Sequence, residues 1–271
     1  MLKQRLLSSL GVWGGILFVL WAFKLVGVVF LIASFCIGAQ YELSKLIQSE
    51  RRQLLFDTVL SGFFIPLFYL AEIQGPVSSD LLYAFALILI CNWSVFVGKT
   101  ARSFLTSLFG FWYVTINLHF FLKILGLLNW ECLTGLLIIV WIVLVTKLTD
   151  VGGFFVGCSM GKHHLAPTVS PKKTWEGVAG GMIYAFIGNT LFYLLFSSYL
   201  PSTFTFGKSL IFTIIMSWGS IVSDLLESLI KRQLKTKDSG SVLPGIGGIL
   251  DLIDSLLLNA PLAYVLLKCF L

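Results

Sequence analysis

Charge is scarce in this chain. Asp, Glu, Lys and Arg make up only 12% of its 271 residues, whereas 57% are apolar and the mean hydropathy is +0.93. A soluble globular domain carries about 25% charged residues, so that class is excluded. Paired cysteines are also missing. The five present, Cys36, Cys91, Cys132, Cys158 and Cys269, are scattered in apolar surroundings without a C-x-x-C pair, which argues against a disulfide framework or a thiolate metal site. The sequence shows no internal repeat at the level of motifs, no low-complexity run and no soluble domain. Lys3 and Arg5 precede an apolar run, but no A-x-A-like site follows, so a cleaved signal peptide is not expected.

What remains is a polytopic membrane protein of all-α class. Apolar runs of roughly spanning length lie near residues 11–23, 25–41, 53–72, 80–98, 103–122, 133–149, 177–199, 208–229 and 255–271, which predicts about nine helices. The first two meet at Lys24, where one long helix over 11–38 is the alternative. With the N-terminus inside, only Lys24, Lys123, Lys208 and Lys268 of the 19 Lys and Arg fall on the outer side. That asymmetry obeys the positive-inside rule and predicts that the charged loops face the cytoplasm across the cell membrane. The chain reads as one membrane-embedded domain over 1–271, with N-terminal helices to residue 130 and a catalytic part from 131. The net charge of +6 is divided among short loops, so anionic membrane lipids and a nucleotide triphosphate are the expected partners and nucleic acid is not.

The little charge there is concentrates between Asp224 and Asp254, in D-L-L-E-S-L-I-K-R-Q-L-K-T-K-D-S-G-S-V-L-P-G-I-G-G-I-L-D-L-I-D. Helical spacing places Asp224, Glu227, Ser228 and Lys231 on one face. The loop after Lys237 and Asp238 closes with Pro244, Gly245, Ile246, Gly247 and Gly248, where small residues let backbone N–H groups approach a ligand. Asp251 and Asp254 then stand three apart where a helix restarts, at the end that favours carboxylates and bound anions. Several carboxylates at a membrane edge repel one another unless a cation sits among them, which predicts a Mg²⁺ site for a phosphate substrate.

A second polar stretch runs from Lys147 to Gly177, K-L-T-D-V-G-G-F-F-V-G-C-S-M-G-K-H-H-L-A-P-T-V-S-P-K-K-T-W-E-G. Asp150 ends a span, and Lys162, Lys172 and Lys173 sit in a loop punctuated by Pro167 and Pro171, a candidate phosphate clamp. It is not a Walker A loop, because the spacing is one residue short and His163 stands where Ser or Thr binds Mg²⁺. The glycines at 245, 247 and 248 likewise lack the βαβ context of a dinucleotide fingerprint. Asp57 and His119, within or near spans, are further ionisable groups that need partners.

From Ser228 to Asp254 the chain resembles the signature of the phosphatidate cytidylyltransferase (CDP-diacylglycerol synthase) family, S-x-[LIVMF]-K-R-x4-K-D-x-[GSA]-x2-[LIF]-[PG]-x-H-G-G-[LIVMF]-x-D-R-[LIVMFT]-D. It departs at two places, Ile246 for His and Leu252 for Arg. The stretch Asp150 to Gly177 is similar to the family's other conserved run, ending L-A-P-x-[IV]-S-P-[KG]-K-T-W-E-G. There Cys158 replaces a usual basic residue.

The resemblance implies transfer of CMP from CTP to phosphatidate, releasing pyrophosphate, with the active site built from cytoplasmic loops and helix ends. It implies Mg²⁺ held by Asp224 and Asp251, with Asp254 as a further ligand or orienting group. Lys231 and Lys237 then act in catalysis, and Arg232, Lys162, Lys172, Lys173, Gly247 and Gly248 bind phosphate. It also implies a homodimer. Another CTP-dependent lipid transferase or kinase is the alternative, argued against by the long signature. A transporter is argued against by clustered charge and the lack of duplicated halves, and a CDP-alcohol phosphotransferase by the missing D-G-x-x-A-R motif.

Ile246 can neither take a proton nor bind a metal. A phosphate monoester is largely dianionic at neutral pH and needs no general base to act as a nucleophile. Ile246→His should therefore change kcat by less than about tenfold, roughly 1.4 kcal/mol. A rise of a hundredfold would show that imidazole is a catalytic group at this position.

Overall fold

The structure is a computed structural model of the chain, and it describes residues 2–47, 49–74, 78–128, 133–236, 239–240 and 247–270. The expected site residue Lys237, with Asp238, Pro244 and Ile246, lies outside them, as does Cys132. The four cysteines that are described are free thiols, as the sequence suggested.

Helices dominate. In chain order they are α1 (Leu2–Leu46), α2 (Arg51–Gln74), α3 (Ser79–Trp93), α4 (Ala101–Gly110), α5 (Asn117–Leu127), α6 (Leu133–Met160), α7 (Trp175–Phe196), α8 (Phe206–Gln233) and α9 (Ile249–Phe270). Wide π turns extend α3 through Ser94–Gly98 and join α4 to α5 through Phe111–Ile116. A two-stranded antiparallel hairpin, β1 (His164–Ala166) and β2 (Ser170–Thr174), occupies the loop expected to clamp phosphate. Among the described residues, eight helices are long and apolar enough to cross a membrane, and the protein is an integral membrane protein. The difference from nine lies at the N-terminus. There α1 is one element broken only at Lys24 (φ 48°, ψ −122°), and its span-like part begins at Ala22.

Most helices run past the apolar stretches that announced them. α6 extends to Met160 and α8 to Gln233, while α9 begins at Ile249, so Asp150, Asp224 and Asp254 lie within helices. Hydropathy falls at a charge, but the helical backbone continues wherever that charge finds a partner.

Backbone contacts divide the chain into two compact units. The first comprises Met1–Gly126 and Leu234–Ile253 and the second Leu127–Gln233 and Asp254–Leu271, so the boundary falls inside α9. In the first unit the core is aromatic, with buried Phe64 meeting Phe111 edge-on at 5.3 Å. The two ionisable groups that the sequence singled out within its spans, Asp57 and His119, have partners. Asp57 accepts from Ser107 at 2.5 Å and Ser44 at 3.4 Å, while His119 meets the Tyr83 hydroxyl at 2.7 Å and Glu72 at 3.4 Å.

The second unit is tied by polar bonds between helices. The Trp141 indole donates to Asn189 (2.7 Å), Asn189 donates to Ser209 (3.1 Å), and Asn259 donates to Thr146 (2.9 Å) and to the Met216 carbonyl (3.0 Å). Such bonds substitute for the hydrophobic drive that lipid cannot supply. α6 and α7 approach closely enough that a Cβ on Gly177 would meet the Gly153 carbonyl, and one on Gly181 the Thr149 carbonyl. Gly181→Val should thus overpack the pair by about 1–3 kcal/mol. The check is the melting midpoint in detergent relative to Gly207→Ala, a site with no atom within 4 Å. Equal midpoints would contradict this account of the helix pair.

Candidate active site

In the second unit, one face of α8 presents Ser220, Asp224, Glu227 and Lys231 at helical spacing, toward the end of α6, the hairpin and α9 from Asp254 onward. One carboxylate oxygen from each of Asp224, Glu227 and Asp254 can be chosen so that all lie within 4.8 Å of one another. Glu227 is 1% exposed. Three acids so close cannot stay ionised without positive charge among them, and the chain supplies part of it. The Lys173 ammonium meets Asp224 at 2.7 Å, and Lys231, one turn along α8, pairs with Glu227. Asp150 is held beside this group. It accepts from Ser220 at 2.9 Å and Ser255 at 2.8 Å, and Lys147 reaches it at 3.4 Å while donating to Ser255 at 2.8 Å.

The hairpin is positioned by its ends. Thr174 caps α7 by accepting from the Gly177 N–H at 3.1 Å. Glu176 in the first turn accepts from the backbone N–H groups of Lys162 (3.1 Å) and His163 (3.2 Å) and meets the His163 ring at 2.5 Å. Lys172 and Lys173 on β2 thereby border a cavity of about 250 Å³, lined also by Asp150, Asp224, Gly153 and Gly157. Arg232 donates to the Val169 carbonyl in the hairpin turn at 3.4 Å. Lys162 sits exposed at the foot of β1.

The first unit holds the other expected residues. Gly247 (φ +117°) turns the chain into α9, and a side chain there would meet the Asp251 carboxylate. Asp251 accepts from the Gly248 N–H at 2.8 Å and the Ser239 N–H at 3.1 Å, the reach-back of a capping box. Glu42, at the end of α1 and 2% exposed, accepts from the N–H groups of Ile249 and Leu250 and the hydroxyl of Ser239, each at 2.9 Å. One carboxylate thus satisfies two of the N–H groups that the start of α9 leaves open.

The structure therefore brings Asp224 and Asp254 together, adds Glu227, and gives Asp251 backbone partners in the N-terminal turn of α9. Glu227 was not among the expected ligands, although its place three residues after Asp224 carried the signal. Glu42 had none beyond a charge at the end of a span.

Residues 3–270 match the cytidylyltransferase family. The chain belongs to that family. It is 34% identical to the phosphatidate cytidylyltransferase of Bacillus subtilis over 99% of this chain and 98% of that one. Against the enzyme of the same name from Thermotoga maritima the identity is 32% over 88% and 86% of the two chains. Against that of Staphylococcus saprophyticus it is 43% over 49% and 50%.

Replacing Glu42 with Gln keeps the size but leaves one acceptor oxygen for three donors. Glu42→Gln should speed hydrogen exchange at the Ile249 and Leu250 amides by about tenfold or more, on the order of 1.4 kcal/mol. Unchanged exchange would remove Glu42 as the cap of α9.

Proposed function

We infer that this family member is a phosphatidate cytidylyltransferase, forming CDP-diacylglycerol and pyrophosphate from CTP and phosphatidate. The observation that carries this reading is a likeness spanning both conserved runs, supported by lysines and carboxylates gathered beside one cavity. The phosphate oxygen of phosphatidate attacks the α-phosphorus of CTP, the new P–O bond forms, and the bond to the bridging oxygen breaks to release pyrophosphate.

Hard oxygen donors at this spacing fit a divalent cation such as Mg²⁺. Asp224, Glu227 and Asp254 would hold it. When bound, it supplies neutralisation of charge on the phosphates. The chain's own cations do the rest. Lys173 and Lys172, bordering the cavity, hold phosphate oxygens, while Lys231 and Arg232 place positive charge where the leaving group gains negative charge. Lys147 with Ser220 and Ser255 fixes Asp150 beside these acids. Lys162, exposed at the foot of β1, is proposed to bind the nucleotide phosphates. The strong bias of Lys and Arg to one side supports an orientation in the cell membrane with these groups facing the cytoplasm. The resemblance further supports a homodimer.

Purified protein supplied with phosphatidate, labelled CTP and Mg²⁺ should yield labelled CDP-diacylglycerol, and absence of any lipid-linked CMP would sink the assignment. Asp254→Asn should lower turnover at least about a hundredfold, roughly 2.7 kcal/mol, and raise the Mg²⁺ concentration required. Asp251→Asn should lower turnover comparably. A raised Mg²⁺ requirement in that variant supports the ligand role expected from sequence, and an unchanged one supports the role of shaping the start of α9.

A further inference from the structure

A second polar cavity, of about 400 Å³, lies wholly within the first unit, where the turn after α1, the start of α2, the π turn after α3 and the start of α4 meet. It shares no residue with the candidate active site. Two arginines, Arg52 and Arg102, line it, and among the described residues neither is ion-paired. Arg102 donates to the Ile47 carbonyl at 3.2 Å, and the one carboxylate on the rim, Glu50, is exposed.

The wall carries buried hydrogen-bonding atoms that have no partner among the described residues: the hydroxyls of Ser103 and Ser49 and the indole nitrogen of Trp93. Ser103 is 4% exposed. The Trp93 ring is fixed by stacking on Phe56 at 4.3 Å, and the Gln53 amide is committed to the Ser103 carbonyl at 2.9 Å and to Thr106 at 2.5 Å. These atoms lie behind the cavity surface, so the groups free to meet an occupant are the exposed guanidinium groups of Arg52 and Arg102.

The chemistry of the wall names that occupant. Two guanidinium groups without a carboxylate partner among the described residues match the oxygens of a phosphate. The cavity sits at helix ends, flanked in sequence by Arg51 and Lys99, at the depth where tryptophan and basic residues meet lipid headgroups. We propose that this cavity is a binding site for the phosphate of an anionic glycerophospholipid, separate in its residues from the site of the reaction.

The test is lipid retention by the purified full chain, measured by native mass spectrometry after exchange into micelles containing phosphatidylglycerol or phosphatidylcholine. Wild-type protein should retain phosphatidylglycerol in preference to phosphatidylcholine. The double variant Arg52→Gln, Arg102→Gln should weaken that retention at least tenfold, and Arg51→Gln, which does not line the cavity, less than twofold. If the double variant fails to fold, either single variant, Arg52→Gln or Arg102→Gln, should weaken retention at least threefold. Equal retention by wild type and a folded cavity variant would overturn the proposal. Displacement of the lipid by millimolar inorganic phosphate would identify a free anion as the occupant and overturn the lipid assignment.

Discussion

The packing of Asp224, Glu227 and Asp254 against lysine counter-charges inside an apolar helix bundle is the constraint on which the rest of the second unit depends. A carboxylate moved from water to such surroundings costs several kcal/mol unless its charge is met. Lys173 comes from the hairpin, Lys231 from the next turn of α8, and Lys147 with Ser255 fixes the neighbouring Asp150. Each partner belongs to a different stretch of sequence, so the hairpin, α6, α8 and α9 must all be in register for any of the charges to be tolerated. The glycines that let α6 and α7 touch and the Thr174 and Glu176 caps that set the hairpin serve the same end. The named acids outnumber these lysines, so the divalent cation proposed for the site would complete its charge balance rather than crowd it.

The first unit solves a related problem with one buried acid. Glu42 has no ammonium partner among the described ion pairs. Its charge is spread over two helix N–H groups and a hydroxyl, the arrangement favoured at the positive end of a helix. Asp251 adds a second carboxylate to that turn through Gly248 and Ser239. The N-terminal turn of α9 is thus defined by hydrogen bonds, with Gly247 supplying the backbone angle that a side chain would resist.

Apolar runs made the helices readable in sequence, and charge clustering marked both stretches that carry the candidate site. Helix ends were legible only as far as hydropathy reached, which is why Asp150 and Asp254 fall deeper in helices than expected. The hairpin was hidden because Pro167 and Pro171 read simply as loop punctuation. Glu227 stood in plain view on the α8 face but was not distinguished from its neighbours, since spacing along one helix says nothing of what α9 brings opposite. Glu42 acts on residues some 200 positions later, a pairing that no local pattern encodes.

The claim that Asp224, Glu227 and Asp254 together hold a divalent cation is tested most directly by binding, without turnover. Mn²⁺ titrated into the purified protein in the absence of both substrates can be followed by its free electron paramagnetic resonance signal. The account predicts a specific site whose Kd rises roughly tenfold or more in Glu227→Gln. An unchanged Kd in that variant would contradict it.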